Sequence, residues 1–180
     1  MISYYCVNLP GRDMAVRRSE NRKPREFDDR PNSLRGRRVP AIGLGQLLRE
    51  ADLTFNRALR DELARHDTTF SQFQHLWQLW KEDSLAQFEL SRRIGIEDSS
   101  STAAIDQLEQ KGLIQRRRDS EDRRRVIVTL TVAGRKLERP LNECAIAINR
   151  QARSNISQEE IAALFDTVEK ITTNLRARLS

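Results

Sequence analysis

The stretch from Leu113 to Gly134, LIQRRRDSEDRRRVIVTLTVAG, leaves few folds open: two short β runs flank a tight, arginine-loaded polar loop, and a helix start follows. Leu113 to Arg118 forms one arm. On the other, Val126, Val128 and Leu130 alternate with Ile127 and Thr129, the period of two expected of a half-buried strand. Between them lie Asp119, Ser120, Glu121 and Asp122, residue types that close turns by bonding their own backbone. The pattern predicts a charged hairpin. From Lys111 to Arg125 seven Lys and Arg outnumber three acids, a net +4 that suits a phosphate-rich partner.

The rest of the chain bounds what carries this finger. Its 180 residues, 38% hydrophobic and 32% charged, suffice for one helix-rich core. No run approaches the ~18 to 20 apolar residues of a membrane helix, and the N-terminus lacks a signal-peptide core, so a cytoplasmic location is expected. Cys6, Cys144, His66 and His75 lack metal-ligand spacing, so neither a zinc site, a disulfide framework nor a cofactor is expected. An enzyme is disfavoured too: there is no Gly-rich phosphate loop and no nucleophile paired with a base.

Of the formal net charge of +6, residues 1–40 hold ten basic and five acidic side chains, leaving the remainder only slightly basic. Affinity for a polyanion must then come from placement. Rich in Arg, Pro, Asn and Asp without periodic apolar spacing, residues 1–40 read as a disordered basic arm, either a solubilising tail or an auxiliary DNA contact. Within it Met14 is a more plausible start than Met1.

From Leu44 the pattern is helical: Leu44, Leu48, Ala51, Phe55, Ala58, Leu59 and Leu63 recur at steps of three and four through His66. Ser71 with Gln74 forms a capping-box start for a second helix carrying Phe73, Leu76, Trp77, Leu79 and Trp80, and Ser84 with Gln87 starts a third that Gly95 stops. Asp98 or Ser99 caps a fourth, which runs to Lys111 before Gly112. Thr131 caps a fifth, with Pro140 either bending it or delaying its start. Ser157 with Glu160 opens a last helix whose stripe of Ile161, Leu164, Phe165, Val168, Ile171, Leu175 and Leu179 needs a partner, which a second copy can supply.

The fold expected is therefore mainly α with a small β-hairpin wing (α+β): a winged helix-turn-helix over about residues 68–131, with long dimerisation helices over about 44–66 and 131–178, in a domain of residues 41–180. In that motif the second helix enters the major groove and the hairpin reaches outward. The reading helix, Asp98 to Lys111, offers Ser99, Ser100, Ser101 and Thr102 in its first turn and Gln107 later, with Ile105 and Leu108 on the buried side. Small hydroxyls at a helix start permit close approach to phosphates or base edges, although they are equally good caps. At the hairpin, Asp122 and Arg124 have a spacing that lets a carboxylate orient a guanidinium for the narrow minor groove, with Arg116, Arg118 and Arg123 adding charge.

DSEDRRRVIVTLTVAG, preceded by LEQKGLIQR (Leu108 to Arg116), resembles the wing and helix end of the MarR family of bacterial transcriptional regulators, with similarity over about residues 44–178. The resemblance implies a homodimer held by the first and last two helices, two winged lobes on a roughly palindromic operator, and repression relieved by a small, often aromatic or anionic, compound. It matches Asp122 and Arg124 to the family's wing-tip pair, and Ser99 to Thr102 with Gln107 to its groove-facing positions. Phe55, His75, Trp77 and Trp80 come from helices expected around the effector pocket, though such aromatic stripes are more often core. Oxidation-sensing members use a cysteine in the first helix; here that helix has none, and peroxide sensing is disfavoured. The reading is a ligand-responsive repressor, with half-sites about 10 bp apart. The alternative is a winged-helix module binding an acidic protein.

Overall fold

The computed structural model describes residues 43–179; the basic arm expected over residues 1–40, with Cys6 and Met14, lies outside them. In chain order the elements are α1 (Leu44–Ala64), α2 (Phe70–Lys81), β1 (Leu85–Ala86), α3 (Gln87–Ile94), α4 (Asp98–Gln110), β2 (Ile114–Arg118), β3 (Val126–Leu130), α5 (Val132–Lys136), α6 (Glu138–Ala152) and α7 (Gln158–Leu179). Three helices and a wing make the expected winged helix-turn-helix, mostly helical with a small antiparallel sheet.

The core explains the order. Leu59 and Leu63 of α1, Phe73, Leu76 and Leu79 of α2, Leu90 of α3, Ile105 and Leu108 of α4, and Leu141, Ala145 and Ile148 of α6 close on one another with Ile114, Val128 and Leu130 of the sheet. The 3.6-residue periodicity read in these segments is the line along which each helix meets that cluster. Gly95 and Gly112, at φ 74° and 67°, end α3 and α4 in the left-handed conformation where a Cβ would be strained.

Four boundaries differ from expectation, the simplest being α4, whose N-cap is Glu97 and not Asp98 or Ser99. The second helix starts two residues early, because Thr69 and Gln72 form an overlapping capping box: Thr69 Oγ1 accepts from the Gln72 N–H and Gln72 Oε1 from the Thr69 N–H. Ser84 caps nothing. It sits at φ 63°, and the next two residues are drawn into a strand, β1, that pairs with β3 before α3 begins. The sheet order is thus β1-β3-β2, with Leu85 opposite Val128 on one side and Ile114 opposite Leu130 on the other. As the central strand β3 buries both Ile127 and Val128, which breaks the simple alternation. Finally, the fifth helix is two: α5, capped by Thr131, ends at Lys136, and α6 begins so that Pro140 falls in its first turn, where a missing N–H costs no helical bond.

The Ser157 and Glu160 capping box is present, with Ser157 N–H to Glu160 Oε2 at 2.9 Å and Glu160 N–H to Ser157 Oγ at 3.2 Å. The α7 helix that follows leaves Leu164, Phe165 and Leu175 more than half exposed, as α1 does Leu44, Leu47 and Leu53. No described helix is long and apolar enough to cross a membrane.

Candidate nucleic-acid interface

Four consecutive hydroxyls open α4, and at about 3.6 residues per turn they cannot share a face. Ser99 and Ser100 are exposed, in line with Ala103, Gln107 and Gln110. Neither caps the helix, since the N-cap position is Glu97 and Asp98 occupies the first turn, its carboxylate accepting from Ser91 Oγ. Ser101 turns inward, which corrects its reading as groove-facing, whereas Thr102 is half-buried at the edge of the stripe. Thr102 Oγ1 donates to the Asp98 carbonyl at 2.8 Å and accepts from Gln87 Nε2 at 3.1 Å, joining α4 to α3.

Ser101 is 1% exposed and lies 2.9 Å from His75 Nε2, while His75 Nδ1 lies 2.7 Å from the Ser71 carbonyl. A carbonyl only accepts, so the proton sits on Nδ1 and Nε2 accepts from the Ser101 hydroxyl. Burial pushes the His75 pKa below the ordinary histidine value, against a smaller upward pull from the Ser71 bond, and favours this neutral ring. Gln107 is exposed on the outward stripe, and its Oε1 accepts from Gln72 Nε2 at 2.9 Å.

At the wing, Asp119 builds the turn by accepting from the N–H groups of Glu121 and Asp122, and the Asp119 N–H donates back to the Arg125 carbonyl. Asp122 then receives Arg124 three ways: backbone N–H at 3.1 Å, Nε at 3.1 Å and an Nη at 3.3 Å. The side-chain bond to Arg124, then the backbone bond, hold the Asp122 carboxyl below the usual range. Yet the Arg124 side chain is 92% exposed, a restrained cation offered outward. Arg117, Arg118 and Arg123 are exposed beside it, with Arg118 bracing the turn through the Arg123 carbonyl at 2.9 Å.

Arg116 behaves differently. Its half-buried guanidinium meets Asp106 at 2.7 Å and Glu109 at 2.6 Å, both on α4, so it fastens the wing to the helix instead of facing outward with the other arginines. Wing and helix also share a cleft of about 280 Å³, lined by Gln87, Phe88, Asp98, Arg124 and Val126 among others, which sets Arg124 beside the start of α4.

The four aromatic side chains considered for an effector are engaged internally. His75 holds Ser101, Trp77 is buried under the Lys81 ammonium, Trp80 donates to the Gly134 carbonyl at 3.1 Å, and Phe55 packs against the core. Cys144 is buried in α6, and burial first among several influences raises its pKa, the opposite of an activated thiol. Among the described residues no cluster of His, Cys, Asp or Glu is arranged to hold a metal. The residues that sequence reading missed are Gln72 and Lys111, which tie α4 to the α1–α2 turn; the Thr69 and Gln72 capping box was the available signal.

Comparison with known proteins places this geometry in a family. The model of the MarR family matches residues 69–126, from the cap of α2 to the first residue of β3. The HTH-type transcriptional regulator TtmR of Methylorubrum extorquens is 31% identical over 124 residues; the match covers 69% of this chain, which spans only 63% of that protein's length. The HTH-type transcriptional regulator SarZ of Staphylococcus haemolyticus is 30% identical over 112 residues, covering 62% of this chain and 75% of that protein. The crystal structure of a probable transcriptional regulator from Pseudomonas aeruginosa superposes with a TM-score of 0.64 at 28% identity, covering 72% of this chain and 96% of that one. These relatives are named as transcriptional regulators and not as enzymes. With the family's pattern running through the helix-turn-helix and into the wing, and a curated relative matched over three quarters of its length, the chain belongs to the MarR family.

Proposed function

We propose that this protein is a homodimeric transcriptional repressor that binds a palindromic operator in double-stranded DNA and is released by a small anionic or aromatic ligand. Two outward features carry the reading: the exposed Ser99, Ser100 and Gln107 stripe of α4, and the Asp122-restrained Arg124 of the wing, which lines one cleft with Asp98 at the start of α4. The stripe suits the major groove, and a restrained guanidinium suits the negative potential of the minor groove next to it. Arg118 and Arg123 add phosphate contacts, and Ser99 and Ser100 lie where a positive helix end meets backbone oxygens.

The exposed apolar side chains of α1 and α7 support dimerisation, with residues 44–66 and 131–178 as the proposed stem and 68–131 as the proposed reading lobe. An effector finds its best place in the cleft of about 540 Å³ between the end of α1 and the start of α2, where Arg60 lies over the Phe70 ring, instead of among the occupied tryptophans. Such a protein works in the cytoplasm of a bacterium, with the basic arm of residues 1–40 as an auxiliary contact.

The test is a gel shift with fragmented genomic DNA at increasing salt. A retained fragment carrying an inverted repeat, bound less tightly as salt rises, supports the reading; binding to acidic proteins with no fragment retained overturns it.

A further inference from the structure

Gln107 reads nothing freely, because a second glutamine holds one end of its amide. Gln72 is 2% exposed and its own orientation is fixed by neighbours that only donate: its Oε1 accepts from the Thr69 backbone N–H at 3.1 Å and faces the Lys111 ammonium at 3.4 Å. The nitrogen end is therefore the end turned to Gln107, 2.9 Å away. A nitrogen donor requires an acceptor, so Gln107 must give its oxygen to Gln72 and keep its own N–H₂ for whatever approaches α4.

Resting on the reading of α4 as the helix that enters the major groove, we infer that Gln72 is a positioning residue that sets the hydrogen-bond sense of Gln107, so that Gln107 selects guanine. The ordinary pairing of a glutamine with adenine uses both ends of the amide, oxygen to N6 and nitrogen to N7. Here the oxygen is engaged by Gln72. The outward N–H₂ meets two acceptors on guanine, O6 and N7, whereas on adenine only N7 accepts and the N6 amino group beside it stands donor to donor. A capping-box residue thus reaches from the first turn of α2 to α4 and determines which base α4 accepts.

The experiment is selection from a random-sequence duplex library with the full chain, comparing wild type, Gln107→Ala, Gln72→Glu and Gln107→Lys. The position at which Gln107→Ala relaxes preference is the one Gln107 reads. There the wild type is expected to favour guanine over adenine on the order of tenfold. A glutamate at 72 still accepts from Thr69 and Lys111 but cannot donate, so Gln107 must turn its nitrogen inward and its oxygen outward, moving preference to a base presenting an amino group, adenine or cytosine. A loss of structural support alone would weaken binding without inverting the base.

Gln107→Lys, an exposed substitution that only donates, should keep guanine; it decides the matter if circular dichroism shows Gln72→Glu unfolded. Adenine favoured by the wild type, guanine kept by a folded Gln72→Glu, or guanine lost by Gln107→Lys would overturn the inference while leaving DNA binding intact. A library from which the wild type retains nothing overturns the function itself, and this inference with it.

Discussion

Ser101, on the helix proposed to enter DNA, turns its hydroxyl away from the groove and donates it to Nε2 of His75, 2.9 Å distant inside the core. The pair bolts α4 to α2. Ser101→Ala leaves a buried ring nitrogen without its donor and is expected to cost about 1 to 3 kcal/mol of stability. Urea unfolding measures it. Operator selectivity should persist under conditions where the variant is folded, and a variant of full stability that has lost selectivity would show Ser101 to be a DNA contact instead.

The same pair gives stability a pH dependence. Burial lowers the His75 pKa, despite the opposing Ser71 bond, so the native state takes up this proton less readily than the unfolded chain, whose histidines titrate near about 6.5. The unfolded state therefore binds more protons, and the contribution of His75 is fully present above about pH 6.5 and lost as pH falls toward the lowered native value. Denaturant midpoints should drop between pH ~7.5 and ~5.5 in the wild type and drop less in His75→Gln. Equal drops in both would assign the pH dependence elsewhere.

Gly134 is closed to any side chain. A Cβ there would stand 2.0 Å from the Leu113 carbonyl oxygen and 3.2 Å from Leu130 Cδ2. That oxygen already accepts from the Thr131 N–H, and the Gly134 carbonyl from Trp80, so neither side can retreat without losing bonds. Gly134→Ala is expected to cost about 3 kcal/mol or more, read as a lower Tm or loss of soluble protein. An unchanged Tm would mean that α5 does not rest on the start of the wing.

The exposed stripe of α7 carries the proposal of a dimer. Phe165→Asp with Leu175→Asp removes its apolar character from positions that are more than half exposed in the single chain, so the fold should survive. Sedimentation should show the wild type as a dimer and the double variant shifted to monomer, with weaker operator binding. A monomeric wild type would remove the stem from the account.

How much of this was legible depended on how local each signal is. The hairpin, the Gly95 and Gly112 stops, the Thr131 cap and the Ser157 and Glu160 box are read within a few residues, and the structure contains them all. β1 is two residues long, too short to show a period, and exists because Leu85 and Ala86 meet a strand some forty residues away. Two overlapping capping boxes, at Thr69 and Ser71, look alike in sequence, and the Ser71 carbonyl is used by His75. At the site, the Asp122 and Arg124 pairing was legible from spacing, whereas the inward turn of Ser101, the bond from Gln87 to Thr102 and the capture of Arg116 by Asp106 and Glu109 depend on what α2, α3 and the wing bring alongside α4.

Arg124→Ala, assayed for operator affinity at two salt concentrations beside an unfolding curve, tests the central claim most directly. Because Asp122 restrains an arginine whose side chain packs on little else, the account requires a loss on the order of tenfold in affinity, a shallower salt dependence and an unaltered unfolding midpoint. Unaltered affinity at matched salt would contradict it.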